Sequence, residues 1–128
     1  MTHKLEIRVY YEDTDMAGIV YYANYLRYIE RARSDWVRGL GIDQKVMKAE
    51  GAVFVVRRVE ADYLAAAVLD DELVVETEAV QITGARLVMD QKVKRDGQVI
   101  FQAIVTIGVL AENGQPTRLP ANIRLKLH

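Results

Sequence analysis

The first residues of the chain alternate between polar and apolar. Leu5, Ile7 and Val9 point one way and charged residues stand between them, which is the two-residue period of a half-buried strand. From about Tyr22 to Leu40 the apolar residues recur at intervals of three and four, which predicts one amphipathic helix of about five turns. The predicted buried stripe of this helix consists of Tyr22, Leu26, Ile29, Trp36 and Leu40, and Ala32 and Val37 widen it. A shorter helical pattern covers residues 43–50.

The rest of the chain has the composition of strands. Segments rich in β-branched and aromatic residues cover residues 53–63, 72–82, 85–95 and 98–110. Asp96-Gly97 predicts a tight hairpin between the last two. The segment 98–110 is apolar on both faces, which indicates an interior strand, and two prolines, Pro116 and Pro120, break the tail.

The order of these elements predicts the fold class. One strand, a long helix and then four strands indicate an α+β fold, in which an antiparallel five-stranded sheet packs on or around one helix. Because no repeat or linker interrupts the pattern, residues 1–128 are expected to form a single domain.

Composition excludes several classes of protein. A chain with 51% hydrophobic and 27% charged residues is typical of globular proteins, and a net charge of -1 argues against a broad nucleic-acid surface. No apolar run is long enough to cross a bilayer, and Met1-Thr2-His3-Lys4 lacks the apolar core of a signal peptide. We therefore expect a cytoplasmic protein that binds no nucleic acid and does not insert into membranes.

Missing residue types limit the chemistry. The chain has no cysteine, its two histidines lie at the ends (His3 and His128), and its one serine, Ser34, lies in the helical pattern. These absences argue against a thiolate nucleophile, a Ser-His-Asp triad and a histidine base within the fold. Carboxylates, tyrosines, backbone amides and water remain as candidates for catalysis.

A polar break, Glu12-Asp13-Thr14-Asp15, precedes the long helix and allows two interpretations. Acids at this place commonly cap a helix or interact with its dipole, and Asp13 is expected to do this or to close a loop. Alternatively, the apolar, glycine-containing segment 16–22 places Asp15 beside an apolar cavity and near free amides at the helix start. Asp15 would then be a base or nucleophile while the amides polarise a carbonyl oxygen.

The acids of this break also raise the question of a metal. Glu12, Asp13 and Asp15 lack the spaced oxygen ligands of a calcium-binding loop, and the chain has no internal histidine. We therefore expect no metal.

Residues 11–25, from Tyr11 to Tyr25, resemble the signature of the hotdog-fold acyl-CoA thioesterases, nearest the 4-hydroxybenzoyl-CoA and Tol–Pal-associated thioesterase families. The resemblance continues through residues 30–33, 61–63 and 118–120. It implies a long central helix wrapped by a curved antiparallel sheet, a homodimer or homotetramer with sites at subunit interfaces, and an acyl-CoA substrate. It also implies that Asp15 is the catalytic carboxylate and that the backbone amide of Tyr22 holds the thioester oxygen.

One position departs from the pattern of the Tol–Pal-associated enzymes. Those enzymes typically carry a histidine at the position of Tyr22. This chain has a tyrosine there, and in this respect it resembles the hydroxybenzoyl branch. An imidazole therefore cannot assist here. Tyr22 is expected either to fill space or to line the acyl pocket as well.

Two further groups are candidates for substrate binding. The acyl group would contact Gly18, Val20, Tyr21 and Tyr25, although amphipathic tyrosines are commonly fillers. The phosphates of coenzyme A need positive charge, for which the candidates are Arg57, Arg58, Arg86 and Arg118, with Lys92 and Lys94. Each of these is otherwise an ordinary surface cation.

The predicted function is hydrolysis of a short-chain or aromatic acyl-CoA to the free acid and CoA. No cofactor is expected, because a thioester is already an activated acyl group. Two alternatives remain open at this point: a non-catalytic acyl-CoA-binding or scaffolding module, and a hotdog-fold hydratase or dehydratase. The absence of an internal histidine argues against the usual form of the latter.

Overall fold

The computed structural model describes residues 2–128 and contains five strands and three α-helices over that range. The strands are β1 (His3–Arg8), β2 (Ala52–Tyr63), β3 (Glu72–Ile82), β4 (Arg86–Arg95) and β5 (Gln98–Ala111). The helices are α1 (Asn24–Gly39), α2 (Gln44–Ala49) and α3 (Ala121–Leu127), and one short 3-10 turn covers Tyr11–Asp13. The predicted strand–helix–four-strand order and the α+β class are confirmed.

All neighbouring strands pair antiparallel in the order β1-β3-β4-β5-β2. β5 lies between β4 and β2, so the prediction of an interior strand from its two apolar faces is confirmed. β2 lies at one edge and pairs only with β5 within the described chain. A bulge between Val56 and Arg58 shifts its register, and the edge that faces away from β5 is left open for pairing.

The core lies between α1 and the inner face of the sheet. Alternate strand residues such as Leu73, Val93 and Val105 are buried there, and α1 contributes Tyr28 and Ile29. The charged residues of β3 lie on the opposite face, as the alternating sequence predicts.

The predicted buried stripe of α1 is partly wrong. Tyr22 precedes the helix and is 61% exposed, and Leu26 is 38% exposed, whereas Tyr25, outside the predicted stripe, is buried. Ala32 and Val37 are buried as predicted. Each residue advances about 100° around a helix, so Leu26 points away from the face on which Tyr25 meets the sheet. Ile29 belongs to both stripes, and Trp36 and Leu40 pack partly buried against the core.

A buried amide joins α1 to the middle of the sheet. Gln91 of β4 is wholly buried, and its Nε2 donates to the carbonyl of Ile29 (2.8 Å) and to Oγ1 of Thr77 (2.9 Å). Its Oε1 accepts a hydrogen bond from Nη1 of Arg33 at 2.9 Å. Because every polar atom of this amide has a partner, one side chain fixes the position of the helix over β3 and β4.

The tail contains a helix that the two prolines did not indicate. Pro120 stands just before α3, where its fixed φ suits a helix start, and Ile123 and Leu127 bury one face of the helix. The four-residue spacing of Ile123 and Leu127 is the sequence pattern that could have predicted this helix. Among the described residues, no helix combines the length and apolar composition needed to cross a membrane.

We expect Gln91→Leu to lower the free energy of unfolding by about 2–4 kcal/mol, because it leaves buried polar groups of α1 and β3 without partners. Urea unfolding followed by circular dichroism measures the loss. Gln81→Leu, at an exposed glutamine of β3, is the matched control and should change stability by no more than about 0.5 kcal/mol. Equal effects of the two variants would contradict a central contribution of the Gln91 amide.

Candidate functional site: a hairpin at the start of the long helix

The polar break folds as a tight hairpin that leads into α1. Residues 13–21, called the Asp15 hairpin below, are joined by hydrogen bonds from the Asp15 N–H to the Ile19 carbonyl and from the Tyr21 N–H to the Asp13 carbonyl, both 2.9 Å. The turn is closed by the Gly18 N–H, which donates to the Asp15 carbonyl at 2.9 Å. Gly18 has φ +80°, a left-handed conformation that glycine adopts without strain.

Asp15 lies on the turn of this hairpin and is half-buried. Its Oδ1 accepts the Ala17 N–H at 2.9 Å, and its Oδ2 has no hydrogen-bond partner among residues 2–128. It does not cap α1, whose N-cap is Ala23 without a side-chain cap. One oxygen of the carboxylate therefore stabilises the turn, and the other is free for chemistry.

Asp13 closes a loop, as one of the two expectations for it stated. It is buried, and its Oδ2 accepts the Tyr10 N–H at 2.9 Å, while its carbonyl accepts Nδ2 of Asn24 at 2.8 Å. Glu12 is exposed, so the three acids of the break do not converge. No cluster of three or more potential metal ligands occurs in the described part of the chain.

The peptide between Tyr21 and Tyr22 is held in one orientation. The Asn24 N–H donates to the Tyr21 carbonyl at 2.8 Å. Because this carbonyl and the Tyr22 N–H belong to one planar trans peptide, fixing the carbonyl also fixes the direction of the N–H. The Tyr22 N–H has no acceptor among residues 2–128, so it is a fixed donor that a ligand oxygen can reach.

Aromatic side chains surround this donor. Tyr22 packs against Tyr21 and Tyr63 with ring centroids 5.0 and 6.2 Å away, and the Tyr63 hydroxyl donates to the Tyr22 carbonyl at 3.1 Å. Tyr25 stacks on Phe101 with a centroid distance of 5.1 Å. Burial raises the pKa of Tyr25 and of Tyr63, so both phenols remain neutral at physiological pH.

The predicted acyl-contacting residues are not equally accessible. Tyr21 is 46% exposed and Gly18 is exposed, whereas Val20 and Tyr25 are buried. Together with Tyr22 and fully exposed Met16, they border an open apolar surface instead of the cavity that the sequence indicated. In a single chain the surface that would contact the acyl group is therefore exposed to solvent.

A loop that the sequence did not mark fastens the hairpin to the sheet. The Val20 N–H donates to the Ala67 carbonyl at 2.9 Å, and the Ala67 N–H donates to the Tyr25 hydroxyl at 3.2 Å. Ile19 also forms a bridge with Val68. Residues 64–71, called the 64–71 loop, thus contact both the hairpin and α1.

Three of the four candidate arginines come together at the far end of the sheet. The Arg57 side chain lies across Gly108, where an added Cβ would come within 2.6 Å of its Cδ, and Arg118 lies in the same way on Gly84. Arg86 is the β4 register partner of Gly108. None of the three is in an ion pair among residues 2–128. We call Arg57, Arg86 and Arg118 the arginine corner.

The remaining candidate cations are engaged elsewhere. Arg58 pairs with Glu60 at 3.2 Å. Lys92 pairs with Asp90 and Lys94 with Glu76, at 3.2 and 3.1 Å. A glycine inside a strand often marks the close approach of another group, and this was the signal by which Gly108 and its arginine could have been found.

Within one chain the arginine corner lies far from the Asp15 hairpin. Phe101, which stacks on Tyr25 near the hairpin, and Gly108 are seven positions apart on β5, or about 23 Å at the usual rise per residue. They also face opposite sides of the sheet, because their positions differ by an odd number. One chain does not bring the two groups together.

Comparison with known proteins finds relatives that cover nearly the whole chain. Residues 9–127 match the thioesterase-like superfamily. The chain is 37% identical over 124 residues to the acyl-CoA thioesterase YbgC of Haemophilus influenzae, covering 95% of this chain and 91% of that protein. It is 36% identical over 119 residues to the acyl-CoA thioester hydrolase YbgC of Escherichia coli O157:H7, covering 91% and 89%.

Solved structures of thioesterases share the fold. A probable thioesterase from Bartonella henselae superposes with a TM-score of 0.88 at 35% identity, covering 94% of this chain and all of that one. A 1,4-dihydroxy-2-naphthoyl-CoA thioesterase from Synechocystis gives a TM-score of 0.90 at 21% identity, covering 99% and 96%, which shows the fold alone. The hotdog fold expected from the sequence is confirmed.

The buried phenol behind the hairpin predicts a pH dependence of stability. Burial, and then the neighbouring Asp13 carboxylate, raise the pKa of Tyr28 above its ordinary value of 10.0. A raised pKa in the folded state means that this stabilisation is complete below about pH 10 and is lost as the pH rises further. We expect the free energy of unfolding to fall as the pH rises above about 10, and to fall less in Tyr28→Phe.

Urea unfolding at several pH values measures this difference. Tyr11→Phe removes a phenol that is 81% exposed and is the matched control, which should keep the wild-type dependence on pH. A Tyr28→Phe slope equal to that of the wild type would show that Tyr28 does not titrate with unfolding.

Proposed function

The chain belongs to the thioesterase-like superfamily and is a thioester hydrolase, and we propose that it cleaves an acyl-CoA with the Asp15 carboxylate and the Tyr22 backbone N–H as its reacting groups. The observation that carries this proposal is the fixed Tyr22 N–H without an acceptor, which follows the hairpin that bears Asp15. The YbgC relatives, which are named as acyl-CoA hydrolases, favour this function over a binding module or a hydratase.

In the proposed reaction the thioester oxygen accepts the Tyr22 N–H. Attack on the acyl carbon moves negative charge onto this oxygen, and the dipole of α1 adds to the stabilisation by the amide. Oδ2 of Asp15, which has no partner in the described part of the chain, takes a proton from water as the new C–O bond forms. The C–S bond then breaks, and the proton passes from Asp15 to the leaving thiolate, so that acid and CoA are released.

A second route uses the same groups. Asp15 attacks the acyl carbon itself, the C–S bond breaks, and water then hydrolyses the resulting anhydride. In both routes the same N–H stabilises the oxyanion, and the carboxylate is regenerated.

The aromatic surface around Tyr22 supports a short or aromatic acyl group. Tyr21, Tyr22 and Tyr63 offer flat faces that are about half exposed, and buried Val20 and Tyr25 support them from behind. Ring faces stack well on planar groups. Gly18 at the turn leaves room beside Asp15 for the substrate to approach.

We further propose that the arginine corner binds the CoA phosphates for the site of a partner chain. The open edge of β2 carries Val56 and Val59 with exposures of 49% and 39%, which favours pairing with a second copy. Antiparallel pairing of two β2 edges about a two-fold axis brings the Tyr63 end of one strand beside the Arg57 end of the other. Because the corner lies on the outer face of the sheet, the phosphate end of CoA would reach it around the end of the sheet. The partner would also cover the open acyl surface.

Asp15→Asn is expected to lower kcat by at least about 10²-fold, the scale of removing a general base. Asparagine retains an oxygen for the Ala17 N–H, so the hairpin and the melting temperature should be unchanged. The rate of thiol release from a panel of acyl-CoAs measures the effect. A variant with nearly normal kcat would contradict the proposed role of Asp15.

Tyr22→Phe is the companion variant. It keeps the backbone N–H and removes only the phenol, so its loss of kcat should be much smaller than that of Asp15→Asn. A loss as severe as that of Asp15→Asn would mean that the Tyr22 hydroxyl takes part in the reaction. The proposal that only the backbone N–H of Tyr22 acts would then be wrong.

Mixed dimers test whether the site is shared. One parent is Asp15→Asn, and the other carries Arg57→Met, Arg86→Met and Arg118→Met and is assayed below KM. Random refolding makes about half of the dimers mixed, and each mixed dimer has one intact site if the two groups act across the interface. Activity should then return to about a quarter of wild type.

Two results would contradict the shared site. Verified mixed dimers without recovered activity would place both groups in one chain, and full activity of the triple arginine variant would exclude the corner as the phosphate site. Arg58→Met is the matched control, because this neighbouring arginine is already paired with Glu60 and should be dispensable.

A further inference from the structure

The 64–71 loop supports the reacting groups from outside the site. Through Ala67 it accepts the Val20 N–H at 2.9 Å, and through Val68 it bridges to Ile19. These contacts hold the outer strand of the Asp15 hairpin. The same strand runs directly into Tyr21 and Tyr22, so the position of the loop sets the position of the oxyanion donor relative to α1.

One carboxylate holds this loop in shape. Oδ2 of Asp71 accepts the Val68 N–H at 2.9 Å and pairs with Nη1 of Arg95 at 3.0 Å. The same Nη1 donates to the Ala66 carbonyl at 2.7 Å. Asp71 and Arg95 therefore bind the backbone of the loop at Val68 and Ala66, on both sides of Ala67. Ala67 is the residue that contacts the hairpin and Tyr25.

The backbone of the loop is anchored at the same place. The Val9 N–H donates to the Asp71 carbonyl, and the Asp70 N–H donates to the Val9 carbonyl, both at 2.9 Å. Asp70 has φ +69°, a left-handed conformation that costs free energy in a residue with a Cβ and persists where neighbouring contacts hold it. The end of β1 and the Asp71 carboxylate provide these contacts.

Burial makes this ion pair stronger than a surface pair. The side chains of Asp71 and Arg95 are 22% and 30% exposed, whereas those of the neighbouring pair, Glu72 and Arg8, are 76% and 50% exposed. Partial removal from water strengthens the charged hydrogen bonds and reduces screening by salt. The ion pair is therefore suited to holding the loop in one position.

We propose that Asp71, acting with Arg95, is a positioning residue for hydrolysis: it fixes the 64–71 loop, and through Ala67 and Val20 it holds the Asp15 hairpin in register with the start of α1. This inference rests on the proposed function. Asp71 itself acts only through Ala67 and Val20. Its removal would shift the reacting groups by a small distance to which the rate is sensitive, whereas binding to the broad aromatic surface and to the arginine corner tolerates such a shift.

The test compares kcat with KM in Asp71→Ala, Arg95→Met and Arg95→Lys. A displacement of about 1 Å at reacting groups can cost about 10²-fold in rate, so Asp71→Ala should lose between about 10- and 100-fold in kcat. KM should stay within about threefold, because the binding surfaces remain. Arg95→Met should lose kcat in the same way, and Arg95→Lys, which keeps the charge and one donor, should recover part of it.

Two controls separate positioning from general loosening. Glu72→Gln breaks the adjacent exposed ion pair with Arg8 and should leave kcat unchanged. Ile123→Ala opens a cavity under α3, which contacts Gly41 just beyond the end of α1, whereas the loop contacts Tyr25 near its start. This substitution is expected to lower the melting temperature and serves as the destabilised reference. If Ile123→Ala loses as much kcat as Asp71→Ala at an equal drop in melting temperature, the positioning role is refuted.

The outcome also distinguishes this inference from the function on which it rests. If Asp15→Asn is inactive while Asp71→Ala keeps its kcat or changes only KM, the positioning role is wrong and the function stands. If the wild type releases no thiol from any acyl-CoA, or Asp15→Asn is fully active, the proposed function itself fails, and the positioning role fails with it.

Discussion

The hydrogen bond from the Asn24 N–H to the Tyr21 carbonyl decides what the start of α1 can do. It closes the first turn of the helix and, because a peptide is planar, aims the Tyr22 N–H in a fixed direction. Asn24 also binds the Asp13 carbonyl through its side chain, so the hairpin and the helix start form one unit. An amide that is oriented before the substrate arrives needs little reorganisation during reaction, which is how such donors stabilise an oxyanion.

In the proposed reaction Asp15 combines a structural and a chemical role. One of its oxygens stabilises the turn by accepting the Ala17 N–H, as aspartates commonly do in turns. The same bond fixes the carboxylate, and Oδ2 is left in a defined position without a hydrogen-bond partner among residues 2–128. A turn residue and a reactive group therefore need not be alternatives. The hydrogen bond from the Ala17 N–H, which stabilises the turn, would also hold the Asp15 carboxylate in position for the proposed reaction.

If the arginine corner serves the proposed reaction, a single chain leaves the site incomplete. The apolar surface around Tyr22 is open, β2 has an unpaired edge within the described chain, and the arginine corner lies at the other end of the sheet. Pairing of two β2 edges would close the edge, cover the apolar surface, and bring the end of one sheet that carries the corner beside the hairpin end of the other. Exposed apolar surface and an open strand edge are thus consistent with a site that two chains build together.

The sequence by itself determined the five strands, the first two helices, their order and the family, but not helix α3. Periods of two and of about 3.6 residues, Asp96-Gly97 and the stretch from Tyr11 to Tyr25 are short-range patterns that read directly from the chain. Only the tertiary structure decided which face of α1 is buried, that Arg57 lies on Gly108, and that Asp71 reaches the hairpin through Ala67. Such contacts join residues that are up to about 50 positions apart. They depend on the strand order β1-β3-β4-β5-β2 and on the bulge in β2, and local side-chain preferences do not encode either of these.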